Sequence, residues 1–367
     1  MKRILILMAM AAAMLATPVL RGQTPKNVEY TFTEASDLNL IGKIHKDTPN
    51  PYHRVDTVLF KGFTKGENAQ VRCSAGLAVL FKTNSSTISV QSRYGYWNEG
   101  TNTMPVALNG YDLYIKKDGK WTYARAATQK KADREKNLVL IKDMDSEMKE
   151  CMLYLPMYSE EYSVKIGVEK GSVIEPLESE FRHRIAIFGS SFTQGISISR
   201  SGMSYPMQFM RNTGLQILSL GCSGNCKLQP YFADVLIAAD VDAIIFDAFS
   251  NPSAEMIKER LFPFIEKIQA AKPDIPLIFQ QTIYRESRNF SVVSESYERK
   301  KQEMAEKLMA EAVVKYKNVY FVQTNATDEA THDTSVDATH PSDWGYMLWA
   351  KSIEKPILKI LRKYGIR

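Results

Sequence analysis

The segment that decides the fold of the second half of the chain reads Arg184-Ile185-Ala186-Ile187-Phe188-Gly189-Ser190-Ser191-Phe192-Thr193-Gln194-Gly195. A short, β-branched apolar run that ends in a glycine and small polar residues predicts a buried strand that turns into a helix. A serine on such a turn lies near the helix N-terminus, where free N–H groups favour a developing oxyanion. Ser191 is therefore a candidate nucleophile, and Ser190 is its competitor.

A base and an acid for this serine occur together close to the C-terminus, in the segment Asp337-Ala338-Thr339-His340-Pro341. In a catalytic triad the carboxylate accepts a hydrogen bond from one imidazole nitrogen, which leaves the other nitrogen to take the serine proton. Pro341 and Ser342 predict the start of a helix, with Ser342 as its N-cap, so the loop has a fixed end. A capping or surface role for His340 is the alternative interpretation.

Between these two segments, strand-like and helix-like runs alternate, which is typical of a parallel sheet covered by helices on both faces. Ser191, Gly224 and Asn251 each follow one of the first three predicted strands. Functional groups collect at the carboxyl ends of such strands, so an N–H of Gly224 and the amide of Asn251 are candidate oxyanion donors. Ordinary turns after strands are the alternative for both positions. The predicted strands and helices are 184–188, 205–213, 216–220, 231–239, 243–248, 254–271, 276–281, 294–316, 319–323 and 342–364.

The first half of the chain has a different pattern, with short period-two runs such as 87–91, 111–115 and 162–167 separated by turn residues. Enrichment in Val, Ile, Tyr and Thr favours strands, and Asp118-Gly119 is a hairpin signal. This half therefore predicts an antiparallel β-sandwich without a convincing helix. We predict a signal peptide at 1–23, a sandwich domain at 24–177 and an α/β domain at 178–367.

Composition excludes several classes of partner. The 367 residues are 44% apolar and 24% charged, as in ordinary globular proteins. Residues 1–23 begin with two basic residues and an apolar core too short to span a bilayer, which predicts export to the periplasm or medium with cleavage. Without that segment 44 basic residues face 41 acidic ones, so neither nucleic acid nor a membrane span is expected.

The four cysteines, Cys73, Cys151, Cys222 and Cys226, allow three disulfide pairings, and the sequence does not choose among them. The spacing of Cys222 and Cys226 invites a metal site, but no further cysteine pair or histidine cluster completes one. A local disulfide or free thiols are the favoured interpretations, and no metal is predicted.

Four segments, in this chain order, resemble the sequence blocks of the SGNH/GDSL hydrolases, which are centred on Ser, Gly, Asn and His. The matching positions are Ser191, Gly224, Asn251 and His340, with Asp337 as the triad acid. The resemblance covers roughly residues 180–365 and implies a three-layer α/β/α, flavodoxin-like fold. It also implies cofactor-free ester hydrolysis, with an oxyanion hole made of Ser191 N–H, Gly224 N–H and the Asn251 amide.

The first half resembles the β-sandwich of one branch of these enzymes, and its signature is Gly110-Tyr111-Asp112-Leu113-Tyr114. Two departures from the family pattern occur in the second half. Ser190 stands where the family usually has an aspartate, and Ala248-Phe249-Ser250-Asn251 lacks the glycine that usually precedes the asparagine. The first departure alters hydrogen bonding beside the nucleophile, and the second alters the pocket wall.

We therefore predict a secreted serine esterase that acts on short acyl esters, chiefly O-acetyl groups of carbohydrates. The alternatives are a lysophospholipase or thioesterase and a non-catalytic glycan-binding protein on the same scaffold. Tyr284 and Arg285, after the fourth strand, are candidate substrate-binding residues. Tyr94, Tyr96 and Trp97 form an aromatic cluster for which ordinary sandwich packing is favoured over sugar binding.

Overall fold

The computed structural model describes residues 28–324, 326–328 and 330–367. The predicted signal peptide at 1–23 lies outside these residues. Within the described part of the chain, none of the helices has the length and apolarity that crossing a membrane requires.

Ten strands of the described chain precede residue 177 and form two antiparallel sheets. One sheet has the order β1-β9-β4-β7, and the other has the order β10-β3-β8-β5-β6 with β2 beside β3. Apolar residues from both sheets, among them Val79, Phe81, Val164 and Ile166, pack between them. The predicted antiparallel sandwich is confirmed. The strands are β1 (Tyr30–Glu34), β2 (Asn39–Ile41), β3 (Ala78–Thr83), β4 (Ile88–Tyr94), β5 (Tyr111–Lys117), β6 (Lys120–Ala127), β7 (Leu138–Ile141), β8 (Lys149–Tyr154), β9 (Glu161–Glu169) and β10 (Ile174–Pro176).

The β5–β6 hairpin turns where the Asp-Gly signal predicts. Lys117 pairs with Lys120, and the two residues between them, Asp118 and Gly119, have positive φ values of 50° and 74°. Such values suit the tight turns that match the twist of antiparallel strands.

Two helices interrupt the sandwich, α1 (Lys65–Arg72) and α2 (Pro105–Asn109), so the prediction of a helix-free first half is wrong. Helix α1 begins with a capping box in which Thr64 and Glu67 satisfy each other's backbone N–H groups. The Thr-x-x-Glu spacing is visible in the sequence. Helix α1 is too short and too polar to show a clear hydrophobic periodicity. Contacts with other parts of the chain stabilise it. Glu67 is buried and accepts hydrogen bonds from Tyr231 Oη at 2.8 and 3.0 Å and from Gln229 Nε2 at 2.9 Å.

The second half contains a parallel sheet with the strand order β12-β11-β13-β14-β15. The strand that follows β11 in the chain, β12, lies on one side of it, and β13 to β15 lie on the other side. This is the flavodoxin-like strand order, in which the crevice lies at the carboxyl ends of β11 and β13. The strands are β11 (Arg182–Gly189), β12 (Leu215–Gly221), β13 (Ala243–Asp247), β14 (Leu277–Gln280) and β15 (Val319–Val322). The helices are α3 (Ser191–Gln194), α4 (Tyr205–Thr213), α5 (Pro230–Ala238), α6 (Ala254–Ala271), α7 (Val292–Lys315) and α8 (Asp343–Leu361).

Helices cover both faces of this sheet. Alternate residues of β11 belong to different apolar clusters: Ile187 packs with Trp349 of α8, whereas Phe188 packs with Phe264 of α6. This alternation follows from the period-two geometry of a strand. The predicted three-layer α/β/α fold is confirmed.

Buried polar contacts join the sandwich to the α/β part. Asp112 of the Gly110–Tyr114 motif is fully buried and accepts hydrogen bonds from Arg200 Nη1 at 2.9 Å and from Gly202 N–H at 2.8 Å. Tyr114 Oη accepts from the same Arg200 nitrogen at 2.6 Å. The motif thus contacts the loop that follows the candidate nucleophile.

A second polar contact is made by Arg54, which has no exposed surface. Its guanidinium donates to the carbonyls of Gln70 and Cys73 at the end of α1, at 2.6 and 2.8 Å, and to the carbonyl of Ser219 on β12 at 2.9 Å. A cation at the C-terminus of a helix is electrostatically favourable. The boundary between 24–177 and 178–367 stays a prediction.

Candidate active site

The structure brings Ser191, His340 and Asp337 together in one hydrogen-bonded line. Ser191 is the first residue of α3, and its Oγ lies 3.1 Å from His340 Nε2. His340 Nδ1 lies 2.9 Å from Asp337 Oδ2. The carboxylate can only accept, so it fixes the proton on Nδ1 and leaves Nε2 as an acceptor for the serine hydroxyl.

The loop that carries the acid and the base is held by its own backbone. Asp337 Oδ1 accepts the N–H groups of His340 at 2.8 Å and Thr339 at 3.2 Å. Ala338 has a φ of +61°, an uncommon conformation for a residue with a Cβ. Ser342 caps α8 directly after the loop, as its position in the sequence predicts. The imidazole and carboxylate are thus fixed relative to each other.

The sandwich supplies a partner for the acid that the sequence did not indicate. Asn102 Nδ2 donates to Asp337 Oδ2 at 2.9 Å. Partial burial raises the pKa of Asp337, but hydrogen bonds from Asn102 and His340 outweigh it and lower this pKa to about 2. Asp337 is therefore ionised at neutral pH, as an acid that orients an imidazole must be.

The turn after β12 that contains Gly224 is clamped by three side chains. Gln70 Nε2 donates to the carbonyl of Ser223 at 2.8 Å, and Tyr158 Oη lies 2.7 Å from Ser223 Oγ. The N–H of Ser223 donates to Gln194 Oε1 at 2.9 Å. Gly224 itself has a φ of +71°, and a Cβ there would meet no atom within 4 Å. The turn thus requires glycine for its backbone conformation and not for lack of space.

The turn after β13 carries Asn251. Its Oδ1 accepts the backbone N–H of Cys226 at 3.2 Å, which fixes the amide orientation and directs the NH₂ group to the other side. The preceding carbonyl, of Ser250, accepts from Arg285 Nη2 at 2.8 Å and from Lys301 Nζ at 3.1 Å. Because β12 and β13 both pair with β11, the Gly224 and Asn251 turns flank Ser191 at one edge of the sheet.

Two family models match the chain in succession. The N-terminus of esterase SGNH hydrolase-type proteins, called GxDLY, matches residues 29–174, and the GDSL-like lipase/acylhydrolase family matches residues 182–359. A solved structure from Bacteroides ovatus, described as a GDSL-like lipase, is 36% identical, with a TM-score of 0.86 over 91% of this chain and 98% of that chain. The chain belongs to the GDSL-like lipase family.

More distant structures share the fold of this GDSL-like chain. Salicylyl-acyltransferase SsfX3 from a tetracycline biosynthetic pathway is 18% identical, with a TM-score of 0.67 over 92% of this chain and 99% of that chain. A family two carbohydrate esterase from Cellvibrio japonicus is 11% identical, with a TM-score of 0.60 over 91% and 98%. No curated protein matches the chain.

In the GDSL-like chain a carboxylate from another strand lies beside Ser190, which stands where the family usually has an aspartate before the candidate nucleophile. Asp247, at the end of β13, accepts the N–H of Ser190 at 3.1 Å and its Oγ at 2.7 Å. Thr193 Oγ1 and Ser250 Oγ donate to the same carboxylate at 3.0 and 2.9 Å. Burial raises the pKa of Asp247. A carboxylate is therefore still present beside the nucleophile turn, but it comes from the neighbouring strand.

These contacts also separate the two candidate nucleophiles. Ser190 is fully buried, and its Oγ both donates to Asp247 and accepts the N–H of Phe192. Ser191, by contrast, has its Oγ against the imidazole of His340. The structure thus gives Ser190 a capping position on α3 and Ser191 the position next to the base.

The role of Tyr284 and Arg285 in substrate binding stays a prediction, and the structure shows the following contacts for them. Tyr284 Oη donates to Asn289 and borders a separate cavity of about 500 Å³ at the ends of β14 and β15. Arg285 is paired with Glu298 at 2.9 Å, and its guanidinium carbon lies 5.3 Å from the ring centroid of Phe192. Arg285 thus contacts the carbonyl of Ser250, next to Asn251, and the ring of Phe192 on α3.

All four cysteines are buried and unpaired. Burial raises the pKa of Cys73, Cys151 and Cys222 to about 12 and holds the pKa of Cys226 well above its ordinary value, so these thiols are poor nucleophiles. Among the described residues, no group of His, Cys, Asp and Glu is arranged to hold a metal ion.

Proposed function

We propose that this protein is a serine esterase, exported to the periplasm or medium, that hydrolyses short acyl esters, chiefly O-acetyl groups on carbohydrates. The observation that carries the proposal is the line of Ser191 Oγ, His340 and Asp337, with distances of 3.1 and 2.9 Å. The turns with Gly224 and Asn251 follow the two strands that pair with β11, which ends beside this serine. Hydrolysis of acyl esters is the activity for which the GDSL-like family is named.

In the acylation step, Ser191 Oγ attacks the ester carbonyl carbon while His340 Nε2 takes the hydroxyl proton. Asp337 stabilises the imidazolium through its bond to Nδ1 and stays ionised itself. The carbonyl oxygen becomes an oxyanion that the N–H groups of Ser191 and Gly224 and the amide of Asn251 stabilise. One such donor contributes about 3 kcal/mol to lowering the barrier. His340 then gives its proton to the departing alcohol.

In the deacylation step, a water molecule replaces the alcohol and repeats the sequence. His340 removes a proton from the water as it attacks the acyl carbon, and the proton returns to Ser191 Oγ when the acid leaves. Atoms and charges balance without a metal ion or cofactor. The fixed position of the Gly224 and Asn251 turns favours this step because the donors need no reorganisation.

Two features support a carbohydrate ester as the substrate. Proteins with this two-part fold include carbohydrate esterases from Cellvibrio japonicus and Clostridium thermocellum. An exported enzyme also meets polysaccharides directly. The non-catalytic alternative loses its main support, because Asp247 provides the carboxylate that Ser190 lacks.

The decisive test is the hydrolysis of 4-nitrophenyl acetate by Ser191→Ala and Asp337→Asn. We expect Ser191→Ala to lower kcat by about 10⁴-fold or more and Asp337→Asn by about 10³-fold or more. Ser190→Ala is the comparison variant and should lose far less activity than Ser191→Ala, since this hydroxyl bonds to Asp247 and not to His340. Activity retained by Ser191→Ala and lost in Ser190→Ala would refute the assignment. A preference for long acyl chains over acetyl would favour the lysophospholipase or thioesterase alternative.

A further inference from the structure

A cavity of about 580 Å³ lies between helix α1, the 96–102 loop of the sandwich and the α/β part. We call it the junction cavity; the residues that line it include Ala69, Gln70, Tyr96, Asn102, Tyr158 and Ser223. Its size falls within the range of small-molecule sites in proteins, about 300–1,000 Å³.

The junction cavity adjoins the catalytic loops on both sides. Ser223 precedes Gly224, and Asn102 donates to the carboxylate of Asp337. Ile196, which also lines the cavity, donates its N–H to the carbonyl of Ser191 at 3.1 Å. A group bound in this cavity therefore lies beside an ester whose carbonyl carbon is at Ser191.

Most polar side chains of the junction cavity are already engaged by the protein. Gln70 bonds to both Ser223 and Asn225, Tyr158 bonds to Ser223, and Asn102 bonds to Asp337. Lys65, at the exposed start of α1, is the charged residue among the described ones that line the cavity. The surface left for a ligand consists mainly of tyrosine rings and of aliphatic groups, those of Ala69, Leu108 and Ile196.

We propose that the junction cavity binds the alcohol part of the ester and that this part is a ring with an apolar face. This inference rests on the proposed function: an acetyl group would fill only a small part of the cavity, which leaves the alcohol as its occupant. A flat apolar face packs on aromatic rings, and Tyr96 offers such a surface because it is 47% exposed. The C–H face of a sugar and an aromatic ring share this chemistry.

The test fills the cavity from helix α1 with Ala69→Leu, a substitution that suits a helix. Acetate release is measured for ethyl acetate, phenyl acetate and an O-acetylated methyl xyloside. We expect Ala69→Leu to lower kcat/KM for ring esters about tenfold or more, through KM, and to leave ethyl acetate within about twofold. Ala270→Leu, at an exposed position of α6, is the matched control. The ring ester that the unmodified protein prefers identifies the source of the ring, sugar or aryl.

Two results would overturn the inference while the proposed esterase function stands. One is an equal loss, or no loss, for ethyl acetate and the ring esters in Ala69→Leu. The other is a changed preference between acetyl and hexanoyl esters of one alcohol, which would make the cavity an acyl site. Failure of the unmodified protein to cleave any of these esters would instead refute the proposed function itself. Tyr96→Ala gives a second variant that opens the cavity and should weaken only the ring esters.

Discussion

Replacing Asp247 by alanine should damage both stability and turnover far more than replacing it by asparagine. The carboxylate is 1% exposed and accepts four hydrogen bonds, two from Ser190, one from Thr193 and one from Ser250. Alanine leaves these donors without their acceptor in a dry interior. An unsatisfied buried donor costs about 1–3 kcal/mol, and this substitution removes the acceptor of the Ser190, Thr193 and Ser250 hydroxyls. We therefore expect Asp247→Ala to lower the free energy of unfolding by about 3–5 kcal/mol.

Asparagine has the same shape and can keep most of this network. Its Oδ1 can take the place of the oxygen that accepts from Ser190 and Thr193, and its NH₂ group then faces Ser250 Oγ. That hydroxyl can accept from the amide and donate instead to Thr282 Oγ1, which lies 2.8 Å away. The remaining cost is the weaker acceptor strength of an amide. We expect a loss of about 1–2 kcal/mol for Asp247→Asn.

The two variants are compared by urea unfolding and by the hydrolysis of 4-nitrophenyl acetate. A displacement of the nucleophile turn by about 1 Å can cost about 10²-fold in rate, so we expect that loss for alanine and less than about tenfold for asparagine. Ser190→Asp combined with Asp247→Asn, which moves the carboxylate to the family's usual position, should recover activity relative to Asp247→Ala. Equal effects of alanine and asparagine, or full activity of the alanine variant, would refute this reasoning.

Two further predictions concern stability. Asp112→Ala should lower the free energy of unfolding by about 3 kcal/mol, because it leaves the partly buried guanidinium of Arg200 without its carboxylate; an unchanged urea midpoint would contradict this. Burial raises the pKa of Glu161 to about 8, although hydroxyls of Ser159 and Ser74 donate to it. Since this value lies above the unfolded one of about 4.3, stability is lost as the pH rises through about 8. The free energy of unfolding of Glu161→Gln should therefore increase relative to that of the unmodified protein as the pH rises. A difference between the two free energies that stays constant from pH 4 to 9 would contradict this.

The sequence predicts the α/β part closely because its strands are continuous apolar runs and most of its helices are longer than those of the sandwich. Helices Tyr205–Thr213 and Ala254–Ala271 begin and end where the pattern predicts. Helix α1 was missed because eight residues with a polar composition give little periodicity, and its stability depends on contacts of Glu67 with a distant segment. Local patterns cannot report such contacts.

Some residues of the candidate site could be predicted from the sequence and others could not. Ser191, Asp337 and His340 could be proposed because each lies in a short segment whose residue types indicate its chemistry. Asn102 and Gln70 could not, because they act through hydrogen bonds to residues more than a hundred positions away. One feature of the sequence could have indicated Asp247: it is an acidic residue at the end of the apolar run Ala243–Asp247. A charge at the end of a buried strand needs a partner, and that partner belongs to the nucleophile turn.

The contact of Arg54 with Ser219 joins the sandwich to the α/β part, and it also affects the solubility of the protein. Strand β12 is one of the two outer strands of the parallel sheet, and an uncovered outer strand offers its backbone to other chains. The guanidinium of Arg54 donates to the carbonyl of Ser219, and Gly76 packs against the same residue so closely that a Cβ there would lie 2.7 Å from the Ser219 Cβ. Residues that precede the α/β part thus cover this strand at Ser219, and we expect the α/β part produced alone to expose it and to aggregate more readily.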